Sequence, residues 1–254
     1  MDYRIAIPTF RRSETIKEKT LNYLAKTDID FSKIDLFLSD VTERKAYEKS
    51  LSTGEYKKIN IVDGVIGIGN QRNFIVDYYP VGQKVFGIDD DIQSAILKID
   101  DKTRFELTEL DAFIREAFSA TEKAGLNIWG VYPVNNPFFM KYSISFDIKY
   151  IVACFYGWIN NHEDKAYCTL EDKEDFERSI KYYLADNGVV RFNYVAPKTD
   201  YYSESGGMQE TRTKQRVKES AEFLAIKYPY LCKLFVSKKG YHEVRLKDTR
   251  PIKT

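Results

Sequence analysis

The sequence has little of what marks a secreted, membrane-spanning or zinc-binding chain. Its three cysteines, Cys154, Cys168 and Cys232, are widely separated and fall into no CxxC or Cys/His spacing. That argues against a disulfide framework or a structural zinc site and suits reduced intracellular thiols. No apolar run approaches the roughly 18 residues that a membrane span needs. The first residues, Met1-Asp2-Tyr3-Arg4, pass straight into a strand-like run without a signal-peptide pattern. The expectation is a cytoplasmic protein with no membrane partner, in a host cell if the chain is viral. Histidine is scarce, with only His162 and His242, and there is no internal repeat and no low-complexity segment.

Net charge is also nearly absent, at +1 over 254 residues, but it is unevenly placed. Residues 197–254 carry 13 Lys/Arg against 7 Asp/Glu, whereas residues 1–196 carry 26 against 31. A basic C-terminal section suits a polyanionic partner or forms a solvated face.

What is there begins with alternation. Tyr3–Pro8, Ile34–Leu38, Ile59–Val62 and Val85–Ile88 read as short buried strands. Between them, 15–25, 43–50 and 70–78 read as helices; Ile16, Thr20 and Leu24 share one face of the first. This order predicts a parallel sheet with right-handed crossovers. Beyond residue 100, helices are expected at 109–123, 173–184 and 214–228. Strands are expected at 128–132, 151–156 and 189–195, with a final hairpin around Lys239-Gly240. The length fits one domain, 1–254.

Ligands of such sheets sit at the carboxyl ends of the strands. There the chain carries Pro8-Thr9, Asp40, Gly64–Gly69 and the triplet Asp89-Asp90-Asp91. Three adjacent carboxylates repel one another, and a hard divalent cation, Mn²⁺ or Mg²⁺, relieves that repulsion while bridging phosphates. Alternation turns Asp89 and Asp91 toward a ligand and Asp90 aside; an acidic turn without a metal is the bland reading. A helix start at Asn70 offers N–H groups to an anion, and Arg72 adds a planar donor fork. A second acidic cluster, Glu171-Asp172-Lys173-Glu174-Asp175, opens a helix, where carboxylates also serve as plain dipole complements.

Taken together, these residues resemble the GT-A glycosyltransferases, and the resemblance covers about residues 1–100. Its carriers are Ile5-Ala6-Ile7-Pro8-Thr9-Phe10-Arg11-Arg12, Asp40, Gly69-Asn70-Gln71-Arg72-Asn73 and Asp89-Asp90-Asp91. It implies an α/β, Rossmann-like mixed sheet, mostly parallel in a nucleotide-sugar-binding half (1–100), followed by an acceptor-binding half (101–254). Pro8, Thr9, Arg11, Asp40, Gly69, Arg72, Asp89 and Asp90 would then contact the nucleotide of a UDP-sugar. Asp91, with Asp89 and a C-terminal histidine such as His242, would hold the metal. Asp172 would be the general base of an inverting transfer and Glu171 or Glu174 would help orient the acceptor, with Glu174 and Asp175 competing for the base role.

A second resemblance concerns the Gly206-Gly207 loop, a downstream arginine and a helix ending Lys227-Tyr228-Pro229. These are similar to the DNA-modifying GT-A group associated with TET/JBP dioxygenases, which includes base J glucosyltransferase and phage hydroxymethylpyrimidine glycosyltransferases. That implies Gly207 near the donor and a 5-hydroxymethylpyrimidine in DNA as acceptor, with Arg212, Lys214, Arg216 and Lys218 facing phosphates together. A saccharide or other small acceptor is the alternative.

Overall fold

The computed structural model describes residues 2–100, 102–199, 212–238 and 240–251. The first four strands are β1 (Tyr3–Thr9), β2 (Ile34–Leu38), β3 (Asn60–Asp63) and β4 (Lys84–Ile88). They are parallel and lie in the order β3-β2-β1-β4, as the βα alternation requires. The sheet continues through β7 (Ile128–Val131), β8 (Ile144–Ser145), β9 (Phe155–Ile159) and β10 (Val190–Phe192) to the full order β3-β2-β1-β4-β9-β7-β10-β8. Only β9 and β8 run against their neighbours. The carboxyl ends of β1, β2, β4, β7 and β10 therefore meet at one edge.

The strands are buried on both faces, and their side chains divide with a period of two. Ile5 and Ile7 of β1, Phe86 and Ile88 of β4, and Phe155 of β9 enter one core with Leu21, Leu24, Leu110, Phe113 and Phe118. Ala6, Val85, Tyr156 and Trp158 enter the other core with Ile75, Val76 and Tyr182. The first core is roofed by the helix of 13–24, which comprises α1 (Ser13–Ile16), a π-helical turn Lys17–Leu21 and α2 (Asn22–Leu24), and by α5 (Leu110–Lys123). The second core lies under α4 (Ile68–Tyr78) and α6 (Glu174–Asp186), while α3 (Arg44–Ser50) flanks β2 and β3. At the centre sits Trp129, fully buried, with Phe86 stacked 5.8 Å away and Phe113, Phe118 and Phe192 set edge-on at 5.4–6.2 Å of one another or of the indole.

Two departures from the sequence reading matter for the site. The run 151–156 is not a strand throughout: 151–154 is buried irregular chain, and β9 starts at Phe155. The run 189–195 is broken at Asn193, whose amide bonds Ser143 and Ser145, so β10 stays in the main sheet. The chain then leaves as β11 (Val195–Lys198) for a second sheet, β11-β5-β6, with β5 (Ser94–Lys98) and β6 (Arg104–Glu106), which the pattern did not reveal. The expected C-terminal elements, α7 (Lys214–Lys227) and the hairpin β12 (Cys232–Val236) and β13 (His242–Leu246), pack on α6 through a separate apolar cluster that includes Ile180, Leu224, Leu231 and Val244.

The central aromatic cluster has a measurable consequence. Trp129→Ala should cost about 3–5 kcal/mol, the usual range for emptying a large core site. Gly157→Ala should also destabilise, because an added Cβ would lie 2.3 Å from the Trp129 indole nitrogen. Urea unfolding followed by circular dichroism measures both.

Candidate active site

The acidic triplet follows β4 directly, and its backbone is braced before its side chains act. The Asp89 N–H donates to Cys154 O at 3.1 Å. The Thr20 hydroxyl donates to Asp89 O at 2.7 Å and accepts from the Ile92 N–H at 2.9 Å. Thr20, which the four-residue spacing marked as a packing position, is thus the clasp of the acidic turn.

The three side chains diverge. Asp90 turns inward and is 4% exposed; it accepts from the Thr9 hydroxyl and from Arg12 Nη1, each at 2.7 Å. The Tyr47 hydroxyl bonds Thr9 Oγ1 at 2.7 Å and accepts from the Arg12 N–H at 3.0 Å, which completes the network. Burial pushes the Asp90 carboxyl up to about 6 against the opposing pull of Arg12. Asp89 accepts from Arg72 Nη2 at 2.6 Å. Asp91 accepts from Thr199 Oγ1 at 3.0 Å and from Arg12 Nη1 at 3.2 Å, and burial followed by the nearby Asp89 charge raises its pKa. Two guanidiniums, Arg12 and Arg72, therefore serve three carboxylates.

Two cavities open at this edge. The first is lined by Pro8, Thr9, Phe10, Ser39, Ile66, Gly67, Arg72, Asp90, Glu171 and Arg216, among others. The second is lined by Asp91, Tyr150, Cys154, Asp172, Asp175, Phe176, Arg212 and Glu243, among others. Arg12, Asp89 and Glu174 line both. Pro8, Thr9, Arg72, Asp89 and Asp90 are therefore gathered at the first cavity.

Arg11 and Asp40 are not among the lining residues. Arg11 has φ +56°, and its guanidinium lies over the Phe10 ring at 4.8 Å, while its neighbour Arg12 lines the pocket. The left-handed turn at Arg11 ends the strand alternation, and Arg12, which the resemblance did not assign to the nucleotide, lines the cavity. Asp40 caps a short 3₁₀ turn, accepting from the Thr42 N–H at 2.9 Å and its hydroxyl at 2.7 Å, and Ser39 is the pocket residue there.

The anion expected at the α4 N-terminus is one of the chain's own. The helix begins at Ile68, and the Gly69 N–H donates to Glu171 Oε2 at 3.1 Å. Gly67, at φ +96°, leaves room for that carboxylate: a Cβ there would sit 2.9 Å from Glu171 Oε1. A Cβ on Gly69 would sit 2.6 Å from Leu170 O. Glu171 thus ties the second acidic cluster to α4.

The other members of that cluster are spread apart by Lys173, which takes φ +63° and whose ammonium bonds Glu243 at 2.6 Å. Asp172 is 1% exposed and held by Arg212 Nε at 2.8 Å and Arg216 Nη2 at 3.2 Å. Asp175 accepts from the Tyr150 hydroxyl, and Tyr150 stacks on Phe176 at 4.0 Å. Glu174, 5% exposed, is pushed up to about 8 by burial and by Asp175, against the Arg72 and Arg178 charges.

The basic residues 212–218, at and just before the start of α7, do not form one outward face. Arg212 and Arg216 turn in toward Asp172, Lys214 lies over the Tyr241 ring at 5.4 Å, and Lys218 pairs with Glu222 at 3.8 Å. Gly207 lies outside the described residues. His162 bonds Tyr79 O at 2.8 Å and is not among the residues lining either cavity.

The predicted metal set is only partly assembled. Asp89 and Asp91 border the second cavity together, but His242 is not among its lining residues. Its strand neighbour Glu243 is, and alternation along β13 turns His242 to the opposite side. Among the described residues no group of three or more His, Cys, Asp or Glu side chains forms a cage. The two carboxylates still match a magnesium- or manganese-type cation, which is held by one or two carboxylates plus substrate phosphates.

This fold is of the GT-A type, a Rossmann-like mixed α/β sheet. It is shared with the crystal structure of S. aureus TarS 1–349 in complex with UDP-GlcNAc, at 15% identity and a TM-score of 0.58 over 89% of this chain and 67% of that one. The crystal structure of S. aureus TarS 1–349 without a named ligand gives a TM-score of 0.54 at 15% identity, and this chain, matched over 89% of its length, spans 65% of it. The UDP complex gives a TM-score of 0.51 at 11% identity over 99% and 98% of the two chains. No family model and no curated protein sequence matches the chain.

Glu174 provides a pH test. A carboxyl whose folded pKa is raised favours its neutral form, so its stabilising contribution is present below the ordinary value of 4.5 and is lost as pH rises through about 8. Glu174→Gln, which stays neutral, should therefore lose less melting temperature than the parent chain between about pH 5 and pH 8.5. Parallel calorimetric profiles for the two would count against the burial of this carboxyl.

Proposed function

We propose that the chain is a GT-A glycosyltransferase that moves a sugar from a UDP-sugar to an acceptor hydroxyl, with inversion. The observation that carries this reading is the meeting of the Asp89–Asp91 turn, the Arg12, Arg72 and Arg216 guanidiniums and the 171–175 carboxylates across two adjoining cavities. On a fold shared with a UDP-GlcNAc complex, the first cavity takes the nucleotide. Its Pro8-Thr9-Phe10 wall packs on the base side, and Arg12, Arg72 and Arg216 face the diphosphate.

The chemistry follows from charge. When the anomeric C–O bond breaks, negative charge grows on the diphosphate, and pre-placed guanidiniums stabilise it without reorganisation. A bound Mg²⁺ or Mn²⁺ would supply Lewis-acid stabilisation of the same leaving group, held by Asp89 and Asp91. The Thr20 clasp and the Asp90–Arg12 network hold those two carboxylates in place. A carboxylate of the 171–175 turn takes the acceptor proton.

The acceptor is read as a saccharide or other small hydroxyl compound. The specific observation is that Arg212 and Arg216 are spent on Asp172 inside the cleft instead of facing outward. A hydroxymethylpyrimidine in DNA is the second reading, supported by the basic C-terminal section and the likeness around Gly206-Gly207. One assay separates them: a panel of UDP-sugars with Mn²⁺ is offered saccharides, plain DNA and 5-hydroxymethylated DNA, and products are read by mass spectrometry. Transfer to saccharides alone supports the first reading, and an adduct on hydroxymethylated DNA alone supports the second. A chain that turns over no UDP-sugar is not the proposed enzyme.

Two further outcomes are expected. EDTA should abolish turnover, and Mn²⁺ or Mg²⁺ should restore it. Arg72→Ala should weaken UDP binding by tenfold or more in calorimetry, whereas Asp40→Ala, whose carboxylate is spent on Thr42, should change it by less than about threefold; one lost charge-assisted hydrogen bond is worth about 1.5–3 kcal/mol.

A further inference from the structure

Arg191 carries a charge that no described carboxylate pairs with. It is the middle residue of β10, and its neighbours Val190 and Phe192 enter the core, so alternation turns its side chain to the opposite face. There the guanidinium lies partly buried over the Tyr132 ring, 5.3 Å from its centroid, and its Nε donates to Asn193 Oδ1 at 2.8 Å. Arg4, Arg12 and Arg72 each meet a carboxylate at 2.6 or 2.7 Å. Arg191 makes no ion pair among the described residues, and no acceptor for its two Nη groups is found there. Asp147, the carboxylate whose charge reaches it, is itself paired with Lys149. Burial pulls the guanidinium below its ordinary pKa, opposed by Tyr132 and Asp147. Proteins ordinarily pair a charge that they take out of water.

The surroundings add further donors. Ser145 stands directly opposite Arg191 in the antiparallel β8–β10 pair, where facing side chains are within reach of each other. Asn193 fixes the group. Its N–H donates to Ser143 O at 3.0 Å, and its O accepts from the Lys141 N–H at 3.1 Å. Its amide Nδ2 donates to Ser145 Oγ at 2.8 Å and to Ser143 Oγ at 3.3 Å. Both serine hydroxyls therefore accept from the amide, and no acceptor for their own protons is found among the described residues. A guanidinium held by its Nε and by a ring presents the planar edge of its two Nη groups, the fork that suits a carboxylate or a phosphate. Two hydroxyl donors stand beside that edge.

Resting on the glycosyltransferase reading above, we propose that Arg191, with Ser143 and Ser145, binds an oxyanion, phosphate or carboxylate, that a saccharide acceptor carries away from its reacting hydroxyl. The site lies on the acceptor side of the sheet edge. β10 ends at the same edge as β4, and the chain between Asp147 and Tyr150 links the surroundings of Arg191 to the wall of the second cavity.

A DNA duplex fits this site less well. Duplexes are gripped through several phosphates at once. Here the neighbouring cation Lys149 is engaged with Asp147, and Arg212 and Arg216 are engaged with Asp172. One guanidinium edge flanked by two hydroxyls matches a single anionic group.

The test titrates the full, nitrogen-labelled chain with inorganic phosphate, glucuronic acid, glucose and a DNA duplex in turn, and follows the Arg191 Nε–H signal by nuclear magnetic resonance. Its absence from Arg191→Gln identifies that signal. A saturable shift with phosphate or with glucuronate, and none with glucose, is expected; which of the two shifts it tells a phosphoryl source from a carboxylate one. In the transfer assay, Arg191→Gln should raise KM for an acidic acceptor by about tenfold or more, as expected for a lost charge-assisted hydrogen bond. The loss should appear in KM and not in kcat. Should Arg191→Gln not fold, Arg191→Lys keeps the charge, removes the planar fork and gives the same readouts. No saturable shift with phosphate or glucuronate overturns the site, and a shift with the duplex alone transfers it to the DNA reading. A variant with a lower melting temperature and an unchanged KM for the acidic acceptor makes Arg191 a packing residue, which also overturns it. A parent that binds the anion but turns over no UDP-sugar overturns the enzyme reading and the acceptor role together. A parent that turns over UDP-sugar without responding to either anion overturns this site alone.

Discussion

The organising constraint of this molecule is electrostatic: three consecutive carboxylates must share the end of one buried strand. Two unit charges 4 Å apart at a protein surface repel by about 4 kcal/mol. Leaving Asp89, Asp90 and Asp91 unopposed would therefore use up much of the stability of an ordinary domain. The chain answers with cations brought from two other segments. Arg12 arrives from the turn after β1 and reaches Asp90 and Asp91, and Arg72 arrives from α4 and reaches Asp89. The order of the parallel sheet makes this feasible, because β1 and β4 are neighbours and end at the same edge. The pocket wall, the Thr9–Tyr47 network and the placement of α4 all follow from neutralising one strand end.

The second acidic cluster obeys the same rule by a different route. Its four carboxylates are dispersed instead of jointly neutralised. Glu171 goes to the α4 N-terminus, Asp172 to the arginines around the start of α7, Asp175 to Tyr150, and Glu174 to the boundary between the cavities. The left-handed Lys173 is the hinge of this dispersal. A non-glycine residue in that region costs of order 1–3 kcal/mol, and such costs concentrate at functional sites.

Much of the N-terminal half was legible because its signals are local. Strand length, the helix spacing of Ile16, Thr20 and Leu24, and the polar residues at strand ends each predicted what the fold shows. Pairings that join distant segments were less legible. Nothing in the local pattern says that Glu171 will occupy the α4 N-terminus 102 residues away, or that Arg212 will turn to Asp172 instead of outward. The resemblance assigned Arg11 to the nucleotide, and nothing in the local pattern says that a left-handed residue there would bring Arg12 to the cavity. The second sheet escaped because β5 and β6 gain their partner, β11, only when the 189–195 run breaks at Asn193.

Two carboxylates of one cavity each hold a residue from another segment: Asp91 holds Thr199, which follows β11, and Asp172 holds Arg212, which precedes α7. Removing either carboxylate would therefore do two things at once, changing the charge of the cavity and releasing a distant piece of chain from its wall.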